Sequence, residues 1–237
     1  GVAATNDPEM GYKLGKVSCA QGAAVGINWS FAPIVDIDMN FRNPITNLRT
    51  FGSQVDQVIQ MSKGYLRAAD EEGLAVSIKH FPGDGVDERD QHLVTSINDL
   101  SAERWRQTYG RVYQELINEG AKTVMIGHIA QPNMVKALRP NATKEEQYTP
   151  GSLSKDLLDG VLRQELGFNG LIVTDATLMV GFTSFMSRKK AVPTAIANGC
   201  DMFLFNKNVA EDFEYMLQGY KEGVISEERL DEAVTRI

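Results

Sequence analysis

Short apolar runs and amphipathic stretches alternate from one end of the chain to the other. Residues 31–37, 74–80, 122–128, 170–175 and 201–205 are brief, nearly all apolar and rich in β-branched side chains. Such continuous hydrophobicity over so few residues predicts strands buried on both faces, as in a parallel sheet covered by helices. Between them the apolar positions fall at helical spacing. Val55, Val58, Ile59, Ser62, Leu66 and Ala69 form one stripe; Trp105, Tyr109, Val112 and Leu116 form a second, and Leu153, Leu157 and Val161 a third. Asn6-Asp7 before Pro8 predicts a helix start, and Gly73, Gly120 and Gly167 stand where left-handed C-caps are expected. Residues 1–26 read as helical and 206–237 as two further helices.

Five βα units in series indicate an α/β fold, and a (β/α)8 TIM-type barrel in preference to an open sheet. No repeat, low-complexity tract or linker divides the chain, so 1–237 reads as one domain. A closed barrel needs eight strands. With five in evidence the barrel is expected to be incomplete, with N-terminal strands missing.

Composition narrows the function classes. Hydrophobic residues make up 43% and charged residues 23% of the chain, as in a folded, water-soluble protein. Lysine and arginine number 24 against 31 aspartates and glutamates, a net charge of −7. That balance argues against nucleic acid and against an anionic membrane as partners. No apolar run approaches the roughly 18 residues of a membrane span. The first residues show neither a basic nor an apolar leader region, so a cytoplasmic location is the expectation. Cys19 and Cys200 are expected to be free thiols.

Candidate chemistry follows from position. In parallel α/β folds, catalytic groups stand at the C-terminal ends of strands and in the loops beyond. Asp36 and Asp38 end the first run, and Arg49 lies in the loop after it. Lys79 and His80 end the second, His128 the third and Asp175 the fourth, so all three histidines, with His92, fall at the active end. The segment 81–100 has no apolar period and is longer than the usual βα connection of about 2–6 residues, which suits a lid or catalytic arm. Within it Asp90 and His92 can lie side by side, the carboxylate fixing the imidazole tautomer for proton transfer near neutral pH. A solvated charged loop explains the same spacing. Asp175 is presented as a nucleophile or as a helix cap. Lys79 and Arg49 are presented to a ligand or to an ion-pair network, and His80 and His128 to a ligand or a structural hydrogen bond. There is no compact metal-binding motif.

Together these segments resemble the family 3 glycoside hydrolases, in their β-N-acetylglucosaminidase (β-N-acetylhexosaminidase) branch. Lys79-His80-Phe81-Pro82-Gly83-Asp84-Gly85, followed after four residues by Asp90-x-His92, is similar to that branch's signature. So are residues 26–37, the Arg-x-Phe-Gly at Arg49 to Gly52, and Ile172-Val173-Thr174-Asp175. Gln91 departs from the signature, which usually has serine or threonine there; the expected effect is on loop detail more than on chemistry. Nothing matches the Asp-Gln-Glu-Gly-Gly type of turn found upstream in family members, and no counterpart of the second α/β domain of many members is expected within these 237 residues.

The resemblance implies a retaining glycosidase that removes terminal β-linked N-acetylglucosamine without metal or cofactor. Asp175 would be the nucleophile, and His92 with Asp90 the acid/base dyad on a mobile loop. Arg49, Lys79, His80 and His128 would bind the carbohydrate. Three alternatives stay open. One is a phosphorolytic variant of the same mechanism. Another is a metal-dependent hydrolase built on His80, His128 and Asp175. The third is a non-catalytic barrel fragment whose exposed edges favour self-association or pairing with another chain.

Overall fold

In the computed structural model, which describes residues 1–237, the apolar runs become strands of a parallel sheet. In chain order the strands are β1 (Trp29–Ser30), β2 (Ala75–Phe81), β3 (Ser96–Ile97), β4 (Thr123–Ile126), β5 (Ile129–Ala130), β6 (Leu171–Ala176) and β7 (Met202–Leu204). The main sheet runs β1-β2-β4-β6-β7, every pair parallel, and curls into a half-barrel with β1 and β7 as its two edges. β3 and β5 form a separate parallel pair beyond the active ends of β2 and β4. The fold is thus α/β, an incomplete TIM-type barrel of five strands.

The first strand differs from its expected span. Pairing occurs at Trp29 and Ser30, opposite Ala75 and Val76, and resumes only as a single bridge from Ile34 to Lys79. Pro33 lies in the gap and has no N–H to offer a ladder. The other four strands fall within a residue or two of the apolar runs.

Helices cover the convex side with the faces that the spacing indicates. Helix α1 (Glu9–Ala24) packs on α2 (Val55–Glu71) so closely that a Cβ on Gly11 would sit 2.3 Å from the Met61 carbonyl oxygen. Val58, Ile59, Ser62, Leu66 and Ala69 of α2 are buried. Trp105, Tyr109, Val112 and Leu116 are buried against β2 and β4 in one core. Their helix passes through a π turn, Arg106–Gly110. Leu153 precedes the helix it was grouped with and lies in a 3-10 turn, Gly151–Leu153. Gly73, Gly120 and Gly167 have φ of 71°, 100° and 67°, the left-handed caps expected of them. Cys19 and Cys200 are buried, unpaired thiols. No helix is long and apolar enough to cross a membrane.

The end of the sheet opposite the candidate chemistry is held by one carboxylate. Asp201 is buried and accepts from Arg163, Arg229, Arg236 and the Ile172 backbone N–H. Arginines from the helical segments 156–165 and 227–236 are thereby fastened to the start of β6. The Arg163 guanidinium is pushed down to about 10, chiefly by burial.

Candidate active site

The strands that end in Lys79-His80 and in Asp175 are irregular there. On β2 the four residues from Ile78 to Phe81 stand against three on β4, and on β6, Val173 to Ala176 likewise outruns β7. An extra residue of this kind re-aims the side chains beside it. Lys79 and His80 lie in the first irregularity, Thr174 and Asp175 in the second.

His80 is buried between two carboxylates. Its Nδ1–H donates to Asp36 Oδ2 at 2.7 Å, and its Nε2 lies 3.7 Å from Asp175 Oδ2. Burial alone would lower the His80 pKa; the charge and hydrogen bond of Asp36, with Asp175 beyond, outweigh it and raise it. Asp36 Oδ1 accepts in addition from the backbone N–H groups of His80 and Asp84. Asp175 retains 17% side-chain exposure, and its Oδ1 accepts from the Ala176 N–H at 2.7 Å. Burial pushes this carboxyl up, but His80, the Ala176 N–H and Lys79 hold it below the usual aspartate range. A partly open carboxylate kept ionised on a strand end is equipped to act as a nucleophile.

Lys79 and Arg49 form no salt bridge within the protein. Burial lowers the Lys79 ammonium, and Arg49 lowers it further, against the pull of Asp175 and Asp36. Neither cation is held in an ion pair, so the ion-pair network is not what the structure contains.

His128 sits elsewhere in the arrangement. It is 0% exposed, with Nε2 3.0 Å from the Ala176 carbonyl oxygen and Nδ1 2.8 Å from Ser152 Oγ. A carbonyl only accepts, so Nε2 carries the proton and Nδ1 accepts from the serine hydroxyl. Burial lowers its pKa, consistent with a neutral ring. With both nitrogens engaged, His128 holds the Ala176 carbonyl just beyond Asp175, so its ring makes structural hydrogen bonds, the alternative to the sugar contact expected of it. Nor do His80, His128 and Asp175 form a ligand set: no group of three or more His, Cys, Asp or Glu side chains is arranged to hold a metal ion.

The long segment after β2 is stitched down along its first half. Tyr109 Oη donates to the Asp84 carbonyl at 2.6 Å, Trp105 Nε1 to the Pro82 carbonyl at 2.7 Å, and Asn98 Nδ2 to the Gly83 carbonyl at 3.0 Å. Gly83 and Gly85 have φ of 119° and 106°, and a Cβ on either would come within about 2 Å of Tyr109 or Ile37, so no other residue fits. The segment returns through β3, paired with β5. Its exposed tip carries Asp90 and His92, with Asp90 Oδ1 accepting from His92 Nδ1–H at 2.6 Å and from the His92 backbone N–H at 2.8 Å. The two side chains are thus paired, with no hydrogen-bond partner on Nε2 of a 52% exposed ring. The tip reaches the segment that follows β6, where the Val180 N–H donates to the His92 carbonyl at 2.9 Å.

Three residues of this network went unassigned in the sequence. Asp36 was legible as a strand end, Asp84 as part of the Lys79–Gly85 motif, and Gln91 as a departure from it. Their partnerships join segments tens of residues apart, and no local signal reports them. Surface clefts around Asn169, Ser226, Glu228 and Arg236 lie at the opposite end, away from all of these groups. In parallel α/β proteins that end serves stability, so the chemistry is placed by the side chains and not by cleft size.

Residues 1–237 match the glycosyl hydrolase family 3 N terminal domain. A β-N-acetylglucosaminidase/β-glucosidase from Cellulomonas fimi is 52% identical over 236 residues, which is 100% of this chain and 42% of the relative. A solved β-glucoside phosphorylase superposes with a TM-score of 0.97 at 53% identity, over 99% of this chain and 42% of that one. A family 3 β-N-acetylglucosaminidase from Paenibacillus sp. str. FPU-7 superposes with a TM-score of 0.91 at 29% identity, over 99% of this chain and 43% of that one. The chain therefore spans less than half the length of these relatives.

Proposed function

The chain belongs to glycosyl hydrolase family 3, and on that premise we propose that it carries the catalytic groups of a retaining enzyme acting on terminal β-linked N-acetylglucosamine. The observation that carries this reading is the pairing of two devices at one end of the sheet. Asp175 is an ionised carboxylate on the end of β6, and the Asp90–His92 dyad rides on a loop hydrogen-bonded to the segment just beyond it. In the first step Asp175 attacks the anomeric carbon while His92 Nε2–H protonates the departing glycosidic oxygen. In the second, His92 takes a proton from water, which displaces Asp175 and releases the sugar with its configuration retained. Asp90 accepts the Nδ1–H hydrogen bond throughout, so the exchanging proton is the one on Nε2, and the carboxylate steadies the imidazolium that gives it up. Arg49, Lys79 and His80 supply charge and donors for the sugar hydroxyls. The assay is release of 4-nitrophenol from its β-N-acetylglucosaminide, with Asp175→Ala as control. Release that vanishes in the control supports the reading, and equal release overturns it.

A second acceptor is favoured by one observation, the 53% identical structure named as a β-glucoside phosphorylase. Most retaining glycosidases pair two carboxylates. A neutral imidazole in the acid/base place does not repel an incoming dianion as a carboxylate would, so phosphate is able to replace water in the second step. The product is then a sugar 1-phosphate, visible by phosphorus NMR when inorganic phosphate is added. The names of the relatives extend the sugar class to β-glucosides, and both glycosides belong in the assay.

A further inference from the structure

We propose that Gln91 is the positioning residue of the Asp90–His92 dyad, pinning the loop tip to the ends of β2 and β4. The inference rests on the acid/base reading of His92 above. Gln91 is 1% exposed although it stands between two residues that reach solvent. Its Oε1 accepts from the His128 backbone N–H at 2.8 Å, and its Nε2 donates to Asp84 Oδ2 at 3.2 Å. A backbone N–H only donates and the Asp84 carboxylate accepts, so the amide has one orientation that satisfies both. Its own carbonyl accepts from the Gly181 N–H at 3.2 Å, next to the Val180 bond to His92.

The surroundings are cut to fit this side chain. A Cβ on Gly127 would lie 3.0 Å from Gln91 Oε1, and a Cβ on Gly181 only 2.5 Å from the Gln91 carbonyl oxygen. Glycines on both sides therefore let the loop approach β4 and the segment after β6 at once. The other end of the contact is equally rigid. Asp84 is held by the Asn43 side chain and the Gly85 N–H, and its backbone N–H donates to Asp36, which carries His80. A continuous chain of hydrogen bonds thus runs from the dyad loop through Gln91, Asp84 and Asp36 to the imidazole beside Asp175. A primary amide offers acceptor and donor on separate atoms, which the serine or threonine hydroxyl usual at this place does not. Residue 91 is therefore more than a detail of the loop: it sets where the exposed imidazole stands.

The test compares Gln91→Ala, the isosteric Gln91→Glu, and the pair Gln91→Glu with Asp84→Asn in the full chain. The single variants remove the donor to Asp84, and the pair restores a donor–acceptor match with its direction reversed. Amide hydrogen exchange at Val180 and Gly181 reports whether the loop is seated. Both single variants are expected to speed that exchange by about tenfold or more relative to core strand amides, and the pair to slow it again. Unchanged exchange in both singles, or a pair no slower than Gln91→Glu, overturns the proposal. A second arm compares turnover of methyl and 2,4-dinitrophenyl β-N-acetylglucosaminides. Gln91→Ala is expected to follow His92→Ala in losing the methyl glycoside selectively. Selective loss in His92→Ala without it in Gln91→Ala contradicts positioning. Equal loss on both glycosides in His92→Ala removes the acid reading instead, and the exchange arm still decides the pin.

Discussion

Asp36 and Asp175 are joined through a single imidazole, His80, at 2.7 Å on one nitrogen and 3.7 Å on the other. The two carboxylates are far apart in sequence and play unequal parts. Asp36 is buried and saturated with hydrogen bonds, while Asp175 keeps an open face. Removing the charge of Asp36 takes away the main influence that raises His80. In Asp36→Asn the His80 pKa, followed by NMR titration, is expected to fall below its wild-type value, because burial then acts with only Asp175 to oppose it. A value unchanged from wild type contradicts the arrangement.

His92 as acid matters in proportion to how poorly the aglycone leaves. His92→Ala is expected to cost about 10²-fold or more on a methyl glycoside and far less on 2,4-dinitrophenyl, whose oxygen departs without a proton. A second signature is rescue of the hydrolytic step by small added nucleophiles such as azide. Parallel loss on both aglycones speaks against the acid role.

Asp84 gives the fold a pH dependence of definite sign. Burial and the neighbouring Asp36 raise its carboxyl to about 6, partly offset by His80. The folded state therefore binds this proton more tightly than the unfolded chain, whose aspartates titrate near about 4. The contribution is fully present below about pH 4 and is lost as pH rises through about 6, so on this group alone stability falls with pH across that window. Denaturant melts of wild type and Asp84→Asn between pH 4 and 7 isolate the effect as a difference. A difference that is flat with pH, or that grows the other way, contradicts it.

Asp201 is expected to matter for stability and not for chemistry. Asp201→Ala strands arginines that now share one buried carboxylate. Loss of one partner of such a cluster costs about 3–5 kcal/mol, a fall in Tm on the order of 10 °C for a chain of this size. Turnover per folded molecule, measured well below the melt, is expected to match wild type.

Much of this was legible from residue order, for identifiable reasons. Buried parallel strands such as β4 and β6 are apolar on both faces, so they stand out against the amphipathic helices that cover them. Lys79, His80 and Asp175 follow from the rule that chemistry gathers at strand ends, and the Asp90-x-His92 spacing permits a contact that the loop in fact makes. The first strand was harder, because Pro33 interrupts a ladder whose partner lies more than forty residues away. His128 shows the limit of the strand-end rule. Its position is right for a ligand contact, yet Ser152 and the Ala176 carbonyl occupy both nitrogens, and burial of that kind is set by tertiary packing. The Gln91–Asp84–Asp36 chain is invisible to any local pattern for the same reason.

The role of Asp175 is tested most directly by trapping. A fluorinated β-N-acetylglucosaminide that carries an activated leaving group but turns over slowly is incubated with the chain, and the modified peptide is identified by mass. The expected result is one sugar per chain, attached to Asp175, with no labelling in Asp175→Ala. A label on another carboxylate, or turnover of the ordinary substrate with no trapped species, contradicts a double displacement through this residue.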